Sequence, residues 1–546
     1  MKHPVLPRGE ELGLPLASGV LLALCFPPFH LLIPPFVALV PYLIFLGSCP
    51  ADRSGSTSAA RATFWMGIVY YGIVLYWLAA ALVFFTWLAL LGYLITVVVL
   101  AGLLALVGYS THSLRYRHRL PFWAILPLFW TGVEWLRGHL GDVAFPWLGL
   151  GHSLTGFPAL VGFADVAGAR GVTFWLAAIN GLLAEWWLEG LRARWRRWAT
   201  VLLLVVAIPA GYSLFKWATL QTRPAAHVLV VQPNIPEELK LDRDAAADSS
   251  RIALGRLTTA GLAEAPGVEL VVWPETALPN FPNAERSWTV WAATLARDND
   301  VALLYGTLDL ERHRDGGYSY YNSALYLSAE GNRAGLYRKH FLVPIVERVP
   351  FIPLSWTRSL RRSAARGMRL PLIGDVGVFF RWFGGFGRGT DKPVFPVGEG
   401  SFGVLICYES IFAAHSRAYR RAGAAFLVNI TNDAWFGRER PWWSRTSALV
   451  QHPAHLVMRA IENRVGIVRA ANTGISMLVD PRGRILKPTR LFEAATRAGV
   501  VETTDELTVY ARVGDWVGWL CGLGAAVLFL SSWWLALPRF RRRLDS

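Results

Sequence analysis

Charged residues are scarce in this chain. Asp, Glu, Lys and Arg make up 17% of its 546 residues, against 53% hydrophobic ones. A soluble domain usually carries about 25% charged residues, so an ordinary water-soluble enzyme is disfavoured. Cysteine is scarcer still, with four in the whole chain, which excludes a disulfide scaffold. The high apolar content excludes disorder. There is no P-loop, and no dinucleotide fingerprint sits in a strand-turn-helix context, so neither nucleotide class is indicated. No signal-peptide cleavage pattern follows the first apolar run, which is expected to be a retained helix.

What is abundant is aromatic and basic: 25 Trp, 29 Phe, 17 Tyr and a net charge of +16. Such an excess could suit nucleic acid, but the arginines cluster beside apolar runs, which is the pattern of a membrane protein. Charge-free stretches place the spans, since about 20 apolar residues cross the hydrocarbon core. Residues 12–51 are divided into two short helices by the Pro pairs at 27–28 and 34–35. Residues 62–114 hold two spans, turning near Phe84-Phe85-Thr86. Further spans are expected at 120–137, 160–187, 198–215 and 516–538. The Ser-rich segment 51–62 reads as a low-complexity loop.

Alternate connections are basic, carrying Lys2 and Arg8, then Arg53 and Arg61, then Arg115, Arg117 and Arg119, then Arg192, Arg194, Arg196 and Arg197, and finally Arg539 and Arg541 to Arg543. Basic loops stay in the cytoplasm. Both termini are therefore expected inside, and the polar middle outside. This divides the chain into a membrane domain 1–216 with about seven helices, a catalytic domain 217–513, and a final helix with a basic tail, 514–546.

The middle region alternates short apolar runs with polar, helix-compatible stretches. Candidate strands are 227–233, 268–274, 301–306, 322–328, 401–407, 425–430, 466–471 and 475–480, with helices at 284–298 and 444–463. The strands are rich in Val, Ile and Leu with little alternation, as suits strands buried on both faces. The expectation is an α/β domain with sheets covered by helices.

Cys407 is the only cysteine between 217 and 513. A lone thiol there makes no internal disulfide, and is either a small buried hydrophobe or a nucleophile. The run Val404-Leu405-Ile406-Cys407-Tyr408-Glu409-Ser410 ends a strand and enters a helix start, which would lower a thiol pKa and supply oxyanion donors. A nucleophile needs a base and a charge stabiliser. Glu275, in Trp273-Pro274-Glu275-Thr276, and Lys339, in Tyr337-Arg338-Lys339-His340, each follow a strand. Taken singly, Glu275 suits a helix N-terminal charge and Lys339 a solvated loop.

WPET, YRKHFLVP and ICYES, with TNDAWFG (431–437), RAIENR (459–464) and ANTGIS (471–476), together resemble the carbon–nitrogen hydrolase (nitrilase) superfamily. That resemblance implies an α-β-β-α sandwich and a Glu275, Lys339, Cys407 triad, with Glu347, Tyr408 and Glu409 supporting the substrate site. In the membrane half, Glu134-Trp135-Leu136-Arg137-Gly138, Phe145-Pro146-Trp147 and Gly149-Leu150-Gly151 are similar to the signature of the apolipoprotein N-acyltransferase family, as is VQPNIP at 231–236. What this implies is a polytopic α-helical membrane domain of about eight spans in the bacterial inner membrane, with the nitrilase-like domain on the periplasmic side. The implied partners are a phospholipid acyl donor, phosphatidylethanolamine, and a diacylglyceryl-modified apolipoprotein acceptor. Neither metal, cofactor nor nucleic acid is implied, and a monomer is expected. The acyl chain would pass through a Cys407 thioester, with ping-pong kinetics. The rival is a membrane-tethered amidase with the same triad and water as acceptor; a transporter or scaffold ranks last.

Two departures from the family pattern stand out. Ile345-Val346-Glu347 replaces Phe-Gly-Glu, removing a residue that reaches positive φ easily, and Leu241 stands where an aromatic is common. Arginines from Arg358 to Arg388, interleaved with Phe379, Phe380, Trp382, Phe383 and Phe386, suggest either a membrane-dipping lid or a basic solvated loop. His452 and His455 have HxxH spacing but no third ligand, so a structural role is expected. Asp165 and Arg170 are expected at a span's outer end, reaching water.

Overall fold

The computed structural model describes residues 12–534, apart from 85–86, 237–242, 279–280, 284–285, 314–316, 357–368, 371–373 and 376–384. Leu241, Trp382, Phe383 and most of the basic-aromatic stretch 358–388 lie outside the described residues.

The helical half begins with α1 (Gly13–Leu24), α2 (Pro34–Val37) and α3 (Val40–Ser48). The Pro pairs break this run because proline has no N–H to donate. Next come α4 (Arg53–Val74), α5 (Trp77–Leu82), α6 (Leu88–His118), α7 (Phe122–Arg137), α8 (Ala164–Glu189) and α9 (Trp195–Thr219). The expected loop at 51–62 is instead the opening of α4. Asp52 caps it, its Oδ1 accepting from the Gly55 N–H at 2.8 Å, and a capped N-terminus lets a polar Ser-rich turn stay helical. Among the described residues, α6, α8 and α9 are long and apolar enough to cross a membrane. At 31 residues, α6 spans about 46 Å. Leu94 and Ile95 on α6, and Leu203 and Ile208 on α9, are exposed, an apolar flank of the kind that lipid covers.

The acidic residue of the EWLRG motif is a pin. Glu134 Oε1 accepts from the Leu150 N–H at 2.7 Å and Trp130 Nε1 at 3.1 Å, and Oε2 accepts from Thr173 Oγ1 at 2.8 Å. Gly149 is required beside it, because a Cβ there would lie 2.5 Å from Glu134 Oε2.

The α/β half contains β1 (Arg223–Gln232), α10 (Arg243–Glu264), β2 (Leu270–Val272), α11 (Arg286–Asp298), β3 (Ala302–Arg312), β4 (Tyr318–Leu327), β5 (Arg333–Arg338), a ribbon of β6 (Arg369–Leu370) and β7 (Gly374–Asp375), β8 (Phe395–Val397), β9 (Gly400–Ile406), α12 (Ala413–Arg421), β10 (Phe426–Thr431), α13 (Ala448–Asn463), β11 (Gly466–Ala471), β12 (Met477–Val479), β13 (Ile485–Leu486) and β14 (Ala495–Thr503). A short α14 (Val509–Val513) and apolar α15 (Trp516–Trp534) follow.

One six-stranded sheet runs β14-β1-β2-β3-β4-β5 and the other β13-β12-β11-β10-β9-β8. Each is parallel at its centre, β1-β2-β3 and β9-β10-β11, and antiparallel outside. Val228, Val230 and Val272 of the first sheet share a core with Val404, Ile406 and Val428 of the second. The first sheet's other face, with Leu229, Val231 and Val271, packs on α10 and α11 through Leu254, Ala292 and Ala296. Tyr419 of α12 and Leu456 and Ala460 of α13 pack with the second sheet.

α13 also docks the domain on the helical half. Gln451 accepts from Trp147 Nε1 at 3.0 Å and donates to the Pro27 and Val74 carbonyls. Asp165 is buried and does not reach water, and Arg170 is only partly exposed. Each meets an opposite charge from the second half of the chain: Asp165 lies 2.9 Å from the Arg464 guanidinium, and Arg170 pairs with the Asp515 carboxylate at 2.8 Å.

Candidate active site

Parallel strands gather the site at their carboxyl ends. Glu275 lies just past β2, Lys339 directly after β5, Cys407 directly after β9, and Asn432 directly after β10. Gly306 in β3 makes room for the acid, since a Cβ there would meet Glu275 Cα at 2.5 Å.

A hydrogen-bonded cluster unites the acids and the lysine. Lys339 Nζ donates to Glu347 Oε1 at 2.9 Å and lies 3.4 Å from Glu275 Oε1. Asn322 Nδ2 lies 2.7 Å from the same oxygen of Glu275 and 2.9 Å from that of Glu347. Glu275 Oε2 accepts from the Asn432 N–H at 2.8 Å. Burial alone would lower the Lys339 pKa, but Glu347 and Glu275 outweigh it and hold the ammonium charged. Glu347 is fixed in turn by the Val343 N–H at 2.8 Å. Val346, where the family has glycine, is not left-handed; the loop's left-handed residue is Ile345, at φ 69°, where a β-branched side chain is strained.

Cys407 is buried with φ 49°, a conformation that costs a residue with a Cβ about 1–3 kcal/mol. Its carbonyl is clamped, with Ser410 Oγ donating at 3.0 Å and His452 Nε2 lying at 3.1 Å. His452 Nδ1 is 3.1 Å from Asp433 Oδ1, and Arg469 donates to Asp433 Oδ2 at 2.6 Å. The expected fall in thiol pKa at a helix start does not occur. Cys407 opens only a five-residue 3-10 turn. Burial, then the charge of Glu275, pushes the thiol up against the opposing pull of Lys339. The charges of Glu275 and Lys339 thus both act on the Cys407 thiol.

The three supporting residues take different places. Glu347 joins the lysine cluster. Glu409 is one layer back, accepting from Tyr337 Oη at 2.7 Å and from the N–H groups of His340 and Ile406 at 2.6 and 2.7 Å. Burial raises its pKa to about 7. Tyr408 turns to the helical half, its Oη donating to the Ala144 carbonyl at 2.9 Å. There Trp147 packs on Phe436 and His452. His455 is buried between Trp147 and His152. The atoms of His340, Glu409 and His415 lie within 4.8 Å of one another, close enough for a metal, yet the oxygens of Glu409 already accept from the donors just named.

Asn322 was given no role in the sequence, and Asn432 was visible only as part of TNDAWFG. The signal for both was an amide at a strand's polar position or end, which is weak without knowing what lies opposite.

A strand-end cysteine with a buried Lys and two Glu, in a domain of paired sheets, defines the carbon–nitrogen hydrolase class, and the family model described as "Carbon-nitrogen hydrolase" matches residues 194–501. The helical half matches the "Apolipoprotein N-acyltransferase N-terminal domain" over residues 18–182. An apolipoprotein N-acyltransferase of Geobacter metallireducens is 32% identical over 96% of this chain and 95% of its own length. Another, of Chlorobaculum tepidum, is 30% identical over 95% of each. The chain belongs to the apolipoprotein N-acyltransferase family. Among solved structures, the Saccharomyces cerevisiae nitrilase-superfamily protein Nit3 is 17% identical with a TM-score of 0.34, covering 52% of this chain and 91% of its own, too distant to add to this.

Proposed function

We propose that the chain transfers an acyl chain from a phospholipid to the α-amine of the S-diacylglyceryl cysteine of an apolipoprotein. Glu275 takes the Cys407 proton as the sulfur attacks the ester carbonyl. Lys339 and the backbone N–H near Tyr408 stabilise the tetrahedral oxyanion. The oxyanion collapses, the lysophospholipid leaves with the proton from Glu275, and a Cys407 thioester remains. The acceptor amine then attacks the thioester, loses its proton to Glu275, and restores the thiol. Glu347 holds Lys339, while Tyr408 and Glu409 shape the site.

The observation behind this is the buried Glu275–Lys339–Glu347 cluster at Cys407, in a site that Tyr408 joins to the helical half. The four-layer α-β-β-α arrangement, eight spans, cytoplasmic termini and domain limits at 216 and 513 complete the proposal. So do phosphatidylethanolamine as donor and a monomeric enzyme in a bacterial inner membrane, with the α/β half on the periplasmic side. The test supplies phosphatidylethanolamine with a labelled acyl chain and a diacylglyceryl-cysteine peptide. The expected product is the N-acylated peptide with one lysophospholipid per turnover. Free fatty acid with an unmodified peptide would mean a hydrolase.

A further inference from the structure

Neither the core nor the reaction absorbs the turn between β10 and α13. Trp442 is 82% exposed and Trp443 46% exposed, both on the 3-10 turn Trp442–Ser444. The turn is firmly built. Ser444 Oγ donates to the Pro441 carbonyl at 2.6 Å, and the Arg438 N–H donates to the Ser444 carbonyl at 3.2 Å. These bonds fix the backbone of the turn from which the exposed Trp442 side chain projects. An indole kept in water forgoes burying roughly 150–250 Å², so an exposed Trp on a built turn calls for a cover.

The position of the turn says what that cover is. Trp443 stacks on Phe84, centroids 5.5 Å apart and planes 8° apart, and the Arg438 guanidinium lies 3.8 Å from the same ring's centroid. Phe84 precedes α6, and Trp87 just before that helix and Leu94 in its first turns are exposed. The turn thus extends the apolar flank of α6 at the end where the α/β half docks, while Arg115 and Arg117 lie at the other end. Tryptophan beside arginine, where an apolar helix meets a polar domain, is the composition of the lipid headgroup zone. Guanidinium groups suit phosphate there, and Arg440 on this turn is exposed.

We propose that the Trp442–Trp443 turn anchors the α/β half to the bilayer. Trp442 lies among the phospholipid headgroups at the acyl boundary, and Arg438 and Arg440 face the phosphates. This rests on the helical half spanning a bilayer. Because Phe436, close by in the chain, packs on Trp147 and His452, the anchor sets the height of the active site above the lipid.

The test places a nitroxide on Trp442→Cys in a Cys49→Ser, Cys407→Ala background, the remaining Cys25 and Cys521 being buried. The protein is held in nanodiscs of phosphatidylethanolamine and phosphatidylglycerol. Ile252→Cys on α10, 71% exposed, is the water-facing control. Oxygen should broaden the label at 442 more than a water-soluble nickel chelate does, with the reverse at 252. In parallel, Trp442→Ser should raise the surface-dilution KM for phospholipid about threefold to tenfold, with kcat unchanged. Nickel-dominated broadening at 442 would overturn the anchor, as would protection from both reagents, which would put a protein there. An unchanged KM would overturn it too. If the wild type transfers no acyl chain, the proposed function fails, and the nitroxide comparison still decides this surface.

Discussion

Cys407 is held in a left-handed conformation and kept as a thiol by burial and by the neighbouring Glu275. In the proposed mechanism deprotonation therefore belongs to the attack and does not precede it. Glu275→Gln separates the two roles of that carboxylate. It should cut acyl transfer by about 10²–10⁴-fold, the usual worth of a general base. It should also speed alkylation of resting Cys407 by iodoacetamide, since a charge that raises the thiol pKa is gone. Parallel loss of both would show that Glu275 activates the resting thiol. Glu409 gives the pH dependence. Its carboxyl rises from 4.5 to about 7 on folding, so folding takes up a proton. This group's penalty is absent below about pH 4.5, grows to about 3 kcal/mol by pH 7, and is constant above. Denaturation curves from pH 5 to 8 should lose stability over that window, and Glu409→Gln should flatten the slope. The placing of Glu275, Lys339 and Cys407 at strand ends was legible because each follows a strand in a recognisable run. The clamp on Cys407 was not, because His452, Asp433 and Arg469 meet only when α13 folds over the second sheet.

At the scale of elements, α13 both covers the second sheet and carries the dock. Glu462 Oε1 accepts from the Ala169 N–H at 2.9 Å, and Oε2 lies 3.1 Å from Arg459 Nε, both side chains about 1% exposed. Glu462→Ala leaves a buried guanidinium unpaired, which costs about 3–5 kcal/mol. Thermal unfolding in detergent should show that loss, and Arg459→Met with Glu462→Leu should recover most of it. A single variant within about 1 kcal/mol of wild type would mean the pair contributes little. The buried strands were legible as unbroken Val, Ile and Leu runs. β14, reading Ala-Thr-Arg-Ala-Gly-Val-Val-Glu-Thr, was not, because an edge strand with half its side chains toward solvent lacks that run. The first turns of α4 were hidden by their serines, since the Asp52 cap and the burial of Gly55, Ser56 and Ala59 leave no apolar run to read.

For the whole molecule, charge-free stretches revealed the helical half, but not how it meets the α/β half. Asp165 pairs with Arg464, 299 residues away, a distance over which sequence pattern carries no information. Through such pairs, and through Tyr408 on the Ala144 carbonyl, Cys407 is fixed against the helical half. The central claim is that Cys407 carries the acyl chain between two substrates. The intact mass of the protein after incubation with phosphatidylethanolamine alone, beside Cys407→Ala, tests it most directly. One added acyl mass on the wild type only, released by hydroxylamine, is the predicted result. No adduct from any phospholipid, with ammonia released from simple amides, would contradict it.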